Sequence, residues 1–193
     1  YIYPQANGVK LINGGWDETQ SKVYIFKRCQ EWMKEYMGEN NIRALGITET
    51  GIESNDPDIN SVWYGSMMGE FMKHNLEFFI PWSWKTGMWE TLHLFARYNQ
   101  KYYLPSTSSN DSIVSVHTSI SADKDSMSIL LINRSIKDEI ETEIQLKNYE
   151  VSDGEYRLSQ LSDLPEEETF ISHAINALKE KSVMVQNGKA TIT

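Results

Sequence analysis

Residues 44–55 read ALGITETGIESN. An apolar run rises out of a charged stretch, ends abruptly on Glu49, and passes into a loop holding Gly51, Glu53, Asn55, Asp56 and Pro57. With Ile42 and Arg43 before it, the run is short and does not alternate. That pattern suits a strand covered on both faces, as in a parallel sheet. The neighbouring segments support this. In residues 21–41, SKVYIFKRCQEWMKEYMGENN, apolar side chains recur at Val23, Phe26, Cys29, Met33, Tyr36 and Met37, with Lys22, Lys27, Lys34 and Glu35 on the other face. This spacing predicts a helix, started by Ser21 and stopped by Gly38 and Asn40.

Residues 59–75, INSVWYGSMMGEFMKHN, predict a second helix, with Asn60 or Ser61 as its cap and Trp63, Met67 and Phe71 turned inward. Residues 76–82, LEFFIPW, read as a second buried strand, and residues 87–103, GMWETLHLFARYNQKYY, as a third helix. YIYP at residues 1–4 supplies the end of an earlier strand. Helix and strand in strict alternation, with short links, mean repeated α/β units and a parallel sheet.

The pattern changes at LPSTSSNDS, residues 104–112. After it come short alternating segments: IVSVHTSIS, SMSILLINRS, EIETEIQLKNY and EYRLSQLS. The closing SVMVQNGKATIT sets Asn187-Gly188 between two such runs, a strong hairpin signal. Residues 164–181, LPEEETFISHAINALKEK, read equally as a long loop or a short helix. The expectation is α/β followed by β: residues 1–104 as the last units of a barrel or doubly wound sheet, and residues 105–193 as a small antiparallel β-sandwich. Three strands cannot close a barrel, and an open parallel edge exposes unpaired backbone groups. A first residue other than Met and a last run that stops in mid-strand add to the expectation of a piece of a longer polypeptide, whose remainder completes the barrel.

The net charge of −9 and pI near 5.0 argue against a nucleic-acid partner, because phosphate binding needs a basic face. No run approaches the roughly 20 apolar residues of a membrane span. The lone Cys29, among Phe26, Trp32 and Met33, reads as core packing; it permits neither an internal disulfide nor a cysteine zinc site. His74, His93, His117 and His173 are scattered, and the acids of ESNDPD lack the calcium-loop spacing, so neither metal nor cofactor is expected.

Active sites of such barrels lie at the C-terminal ends of the strands. Tyr3, Glu49, Trp82 and Trp84 all arrive there. Indole faces stack on the C–H faces of sugar rings, and a carboxylate can stabilise or attack an anomeric carbon. Glycoside cleavage needs two carboxyl groups, about 5 Å apart for retention and roughly 6.5–9.5 Å for inversion. GITETG, the strand ending in FFIPWSW and the opening YIYPQ resemble the last three strands of retaining glycoside hydrolases with a (β/α)8 barrel. That clan includes cellulases, xylanases, β-galactosidases and agarases, and a β-sandwich often follows the barrel, as in families resembling arabinofuranosidases, agarases and family 44 endoglucanases.

The resemblance implies a polysaccharide or oligosaccharide substrate and a secreted, periplasmic or cell-surface location. Glu49 matches the nucleophile at the end of strand seven, and Tyr3 the tyrosine that hydrogen-bonds it. Trp84 or Trp82 matches the aromatic floor of the sugar subsite. The acid/base glutamate of strand four has no match in this chain. Alternation along a strand would send Trp82 and Trp84 to opposite faces, with Trp84 favoured for the site. Trp63 and Trp89 read as core residues on helices, although Trp89 can reach the rim. Glu53 reads as a rim residue. Trp16 and Asp17, on the glycine-hinged loop NGGWDET, are candidates for sugar contact, with helix capping the alternative for Asp17. Two other classes stay open: a non-catalytic carbohydrate-binding or scaffolding protein on a degenerate barrel, and a lyase or aldolase, for which Lys85 is the only lysine near the rim.

Overall fold

The computed structural model describes residues 25–52, 54–135 and 137–193. The first part of the fold alternates helix and strand. Helix α1 (Ile25–Met37) is followed by a short 3-10 turn (Glu39–Asn41), then β1 (Gly46–Thr50), α2 (Pro57–Lys73), β2 (Phe78–Pro81) and α3 (Met88–Tyr98). β1 and β2 run parallel, with Gly46 opposite Phe78 and Ile47 opposite Phe79. The α/β order and the parallel pairing agree with the sequence, and YIYP lies outside the described residues.

Three details differ from expectation. α2 starts earlier than Asn60: the Asp56 carboxylate accepts from the backbone N–H groups of Asp58 and Ile59, at 2.9 and 3.2 Å, and Pro57 occupies the first helical position. Proline costs no hydrogen bond there and its fixed φ suits a helix start. α3 stops at Tyr98, because Asn99 takes an extended conformation (φ −68°, ψ 145°). In α1, Phe26 is buried and Cys29 half-buried, but Tyr36 and Met37 of the apolar stripe are exposed.

The chain then enters antiparallel structure. β3 (Tyr102–Leu104), β4 (Val114–Ile120) and β5 (Met127–Asn133) form one sheet in that order. Residues 102–104 therefore belong to this sheet and not to the third helix. β6 (Thr142–Gln145) pairs with β9 (Lys189–Ile192), and β7 (Gly154–Gln160) with β8 (Lys179–Val185). At the Asn187-Gly188 turn both residues have positive φ, 50° and 70°, and Gln186 and Lys189 exchange two backbone hydrogen bonds of 2.9 Å. That is the two-residue turn whose twist matches the strands it joins. Residues 161–178 are irregular and carry no helix.

α2 is the centre of the molecule. Trp63, Tyr64, Met67, Met68 and Phe71 are all buried, and Ile47, Ile52, Met88 and Phe95 join them in one core. Its other face lies on the antiparallel sheet. A Cβ on Gly69 would sit 2.2 Å from the His117 ring of β4, and one on Gly65 would sit 3.5 Å from Ile132 of β5. The small residues at this four-residue spacing let the helix backbone approach the sheet.

Candidate active site

β1 carries Glu49 as its penultimate residue. The pairing with β2 shifts register between Ile47 and Thr50, which lies opposite Pro81, so β1 spends one more residue than β2 over the same span. Such a bulge breaks alternation and re-aims a side chain. Ile47 is buried and Thr50 is fully buried, while Glu49 between them is half-buried. Strict alternation would have set Glu49 on the face of Ile47.

Trp82 follows directly. Its N–H donates to the Thr50 carbonyl at 2.7 Å, joining the end of β1 to the residue after β2. Trp82 and Trp84 do not sit on the strand, which ends at Pro81; they lie in the bent segment beyond it, and both are exposed (67 % and 54 %). The expected split between opposite faces therefore does not occur. Trp84 stacks instead on Trp89 of α3, with ring centroids 3.9 Å apart and planes 9° from parallel. Trp89, read as a core residue able to reach the rim, is the half-buried member of a two-ring platform whose other member, Trp84, is exposed. Its position in the first turn of a helix that starts right after PWSWKTG was the available signal.

The loop bearing these indoles is tied down on several sides. Lys85 Nζ donates to the Ser54 carbonyl at 2.9 Å, and Asn60 Nδ2 donates to the Thr86 carbonyl at 3.0 Å, so the end of the loop that leads into α3 is fixed to the segment after β1 and to the first turn of α2. Gly87 has φ +87°, and a Cβ there would lie 2.2 Å from the Pro57 carbonyl oxygen, so only glycine fits. Glu90, wholly buried in the first turn of α3, accepts from the Gly87 N–H at 3.1 Å. Its other oxygen accepts from the Thr169 N–H (3.2 Å) and hydroxyl (2.9 Å). A buried carboxylate needs this many donors, and a helix N-terminus favours its charge.

Tyr3, Trp16, Asp17 and Glu53 lie outside the described residues. Two polar groups that are described sit away from this end. Glu70, buried in the second half of α2, is pulled up by burial, but hydrogen bonding from His74 and the nearby Lys73 and His117 outweigh it and hold its pKa below the usual carboxylate value. A cleft of about 370 Å³, lined by Arg97, Tyr98, Arg157, His173, Asn176 and Glu180, opens at the C-terminal end of α3. Nine residue steps of helix, from Trp89 to Tyr98 and roughly 14 Å, separate that end from the indole pair. Its Arg157 lies over the Tyr98 ring at 4.6 Å and pairs with Glu180.

A carboxylate and a flat indole pair, at the C-terminal ends of adjacent parallel strands, can hold a ring with apolar C–H faces while an acid acts on it. No protein-family model matches the chain, and no curated protein matches it. Two solved structures share its fold over 98 % of its length. One is a bifunctional glucanase–xylanase from a metagenome library, with a TM-score of 0.72 and 14 % identity. The other is a Paenibacillus polymyxa xyloglucanase of glycoside hydrolase family 44, with a TM-score of 0.66 and 14 % identity. The chain spans 40 % and 44 % of the lengths of those two chains. The sequence-based resemblance to glycoside hydrolases of this kind is thus met by a likeness in fold.

Proposed function

We propose that this chain is part of a retaining glycoside hydrolase acting on a β-linked polysaccharide, with the glucans, xylans and xyloglucans of its structural neighbours as the first substrates to test. In this reading the fold is the end of a (β/α)8 barrel, within residues 1–104, followed by a β-sandwich over residues 105–193. The exposed face of β2, with Phe78 and Ile80 each about half-exposed, is the surface that further barrel strands from the same polypeptide would cover. Glu49 attacks the anomeric carbon to form a glycosyl-enzyme, and a glutamate outside this chain protonates the departing oxygen and then activates water. Tyr3 orients Glu49. Trp84, with Trp89 behind it, is the floor of the sugar subsite, and Trp82, Trp16, Asp17 and Glu53 line its approaches. A polymeric substrate suits a secreted, periplasmic or cell-surface enzyme.

The observation that carries this reading is the half-buried Glu49 at a bulged strand end, one strand away from a stacked indole pair, on a fold shared with polysaccharide hydrolases. The test is Glu49→Gln in the complete polypeptide. Loss of a covalent nucleophile should lower turnover by about 10³-fold or more with folding intact. Unchanged hydrolysis by the variant would end the assignment. Polysaccharide binding without hydrolysis by the parent would favour the binding-protein reading.

A further inference from the structure

The irregular segment 161–178, which links β7 to β8 of the antiparallel part, does not loop out into solvent. It reaches the N-terminal ends of both helices that follow the candidate strands. The Leu164 N–H donates to the Asp58 carboxylate at 3.0 Å in the first turn of α2, and Leu164 is itself buried. Five residues on, Thr169 gives two hydrogen bonds to Glu90 in the first turn of α3. Phe170 then lies against His93, ring centroids 5.0 Å apart, and His173 lines the cleft at the end of α3. The segment thus runs along α3 from its start to its end.

These attachments fall where the indole platform is built. Trp89 is the residue immediately before Glu90, and Trp84 rests on Trp89. Glu90 is fully buried and uses one oxygen for Gly87, at the end of the Trp84 loop, and the other for Thr169. The carboxylate is therefore a joint between three pieces: the loop carrying Trp84, the helix turn carrying Trp89, and the antiparallel part. Nothing in the sequence spacing brings Thr169 to Glu90; they lie 79 positions apart.

We propose that Thr169 and Glu90 are positioning residues, through which the antiparallel part locks the Trp84–Trp89 pair in its stacked geometry at the mouth of the site. The functional consequence rests on the glycosidase reading; the geometric one does not. A held platform presents its flat face to substrate at no ordering cost on binding, whereas a loose one must be ordered each time. Glu90 and Thr169 touch no substrate in this scheme; they act through the indoles.

The experiment uses the complete polypeptide labelled with 5-fluorotryptophan, the Trp84 and Trp89 signals being assigned by Trp84→Leu and Trp89→Leu. Each fluorine senses the ring current of its stacked neighbour, so each signal has a known unstacked position in the variant lacking the other ring. Thr169→Val keeps size and removes the hydroxyl donor. It should move both signals about half-way or more toward their unstacked positions, or broaden them. The KM for the hydrolysed polysaccharide should rise about tenfold, the worth of one hydrogen bond to a charged group, with a smaller change in kcat. Thr169→Ser should restore both readouts, and Glu90→Gln, which keeps an acceptor for Gly87, should repeat the Val result.

Signals left in place by Thr169→Val and Glu90→Gln, with only the melting temperature lowered, would overturn the proposal and leave the contact a purely structural one. A parent enzyme that hydrolyses no polysaccharide would sink the functional reading alone, because the fluorine signals still decide whether Thr169 holds the stack.

Discussion

The two halves of this molecule use their strand faces in opposite ways. In the parallel pair, β2 turns large apolar side chains outward: Phe78 and Ile80 are 49 % and 52 % exposed. In the antiparallel sheet, β4 turns small polar ones inward: Ser115, His117 and Ser119 are all but completely buried beneath α2. Residue type alone predicts the reverse on both counts. The difference shows that burial follows what stands opposite. α2 offers the sheet a flat stripe at Gly65 and Gly69, onto which the His117 imidazole of β4 and Ile132 of β5 fit closely, and β5 adds Leu130 to the same core. The exposed face of β2 has no such partner among the described residues.

The largest effect should come from the parallel half. Gly87→Val forces a β-branched residue into a left-handed conformation and drives its Cβ into the Pro57 carbonyl. Backbone strain and overpacking together should cost roughly 3–5 kcal/mol, measured by denaturant unfolding. The damage should start where the Trp84 loop meets α2, so indole signals should change more than those of β4. A variant as stable as the parent would mean that this junction is soft. Next in size is the interface itself. Gly69→Ala sets a methyl 2.2–2.6 Å from His117 ring atoms, which must move or push the helix off the sheet, at about 1–3 kcal/mol. If the two halves share one core through α2, they should still unfold in a single transition; separate transitions would show that the contact is a weak docking.

Much of the parallel half was legible from local signals. Helical spacing, short apolar runs and the glycine after α1 predicted the order of elements, and Asn187-Gly188 predicted the hairpin. These signals work because they depend on neighbours in sequence. What the sequence did not disclose depends on neighbours in space. The bulge that re-aims Glu49 arises from pairing with β2, the stacking of Trp84 on Trp89 from the bend after Pro81, and the capture of Glu90 by Thr169 from a segment that carries no periodic pattern. The early start of α2 is a milder case: Asp56-Pro57 is a recognisable cap and first position, but the apolar run that drew attention begins two residues later. Likewise the alternation of IVSVHTSIS marked a strand without saying which face would be buried.

The smallest effect tests that buried polar face by its proton chemistry. Both ring nitrogens of His117 are buried without a hydrogen-bond partner, and burial pushes the imidazole below its ordinary value of 6.5, with Lys73 and Arg134 acting in the same direction and Glu70 and Asp111 opposing. Protonation therefore favours the unfolded chain, where the imidazole is solvated. With the folded pKa depressed, the unfolded state binds more protons between the two values, so stability rises with pH there. The contribution is present above pH 6.5 and is lost as pH falls through the folded value. Glu70, also depressed, adds a second loss at lower pH, below the ordinary carboxylate value of 4.5. A chemical-denaturation series from pH 7.5 downward should thus show a decline beginning near pH 6.5 and steepening below pH 4.5. His117→Gln should make the first part of that decline shallower, so that the variant loses less stability than the parent between pH 6.5 and 5.5. It should leave the second part in place, weakened by the loss of one positive neighbour of Glu70. An unaltered slope between pH 6.5 and 5.5 would mean that the imidazole finds water or a partner on protonation, and that α2 and β4 meet less tightly than Gly69 implies.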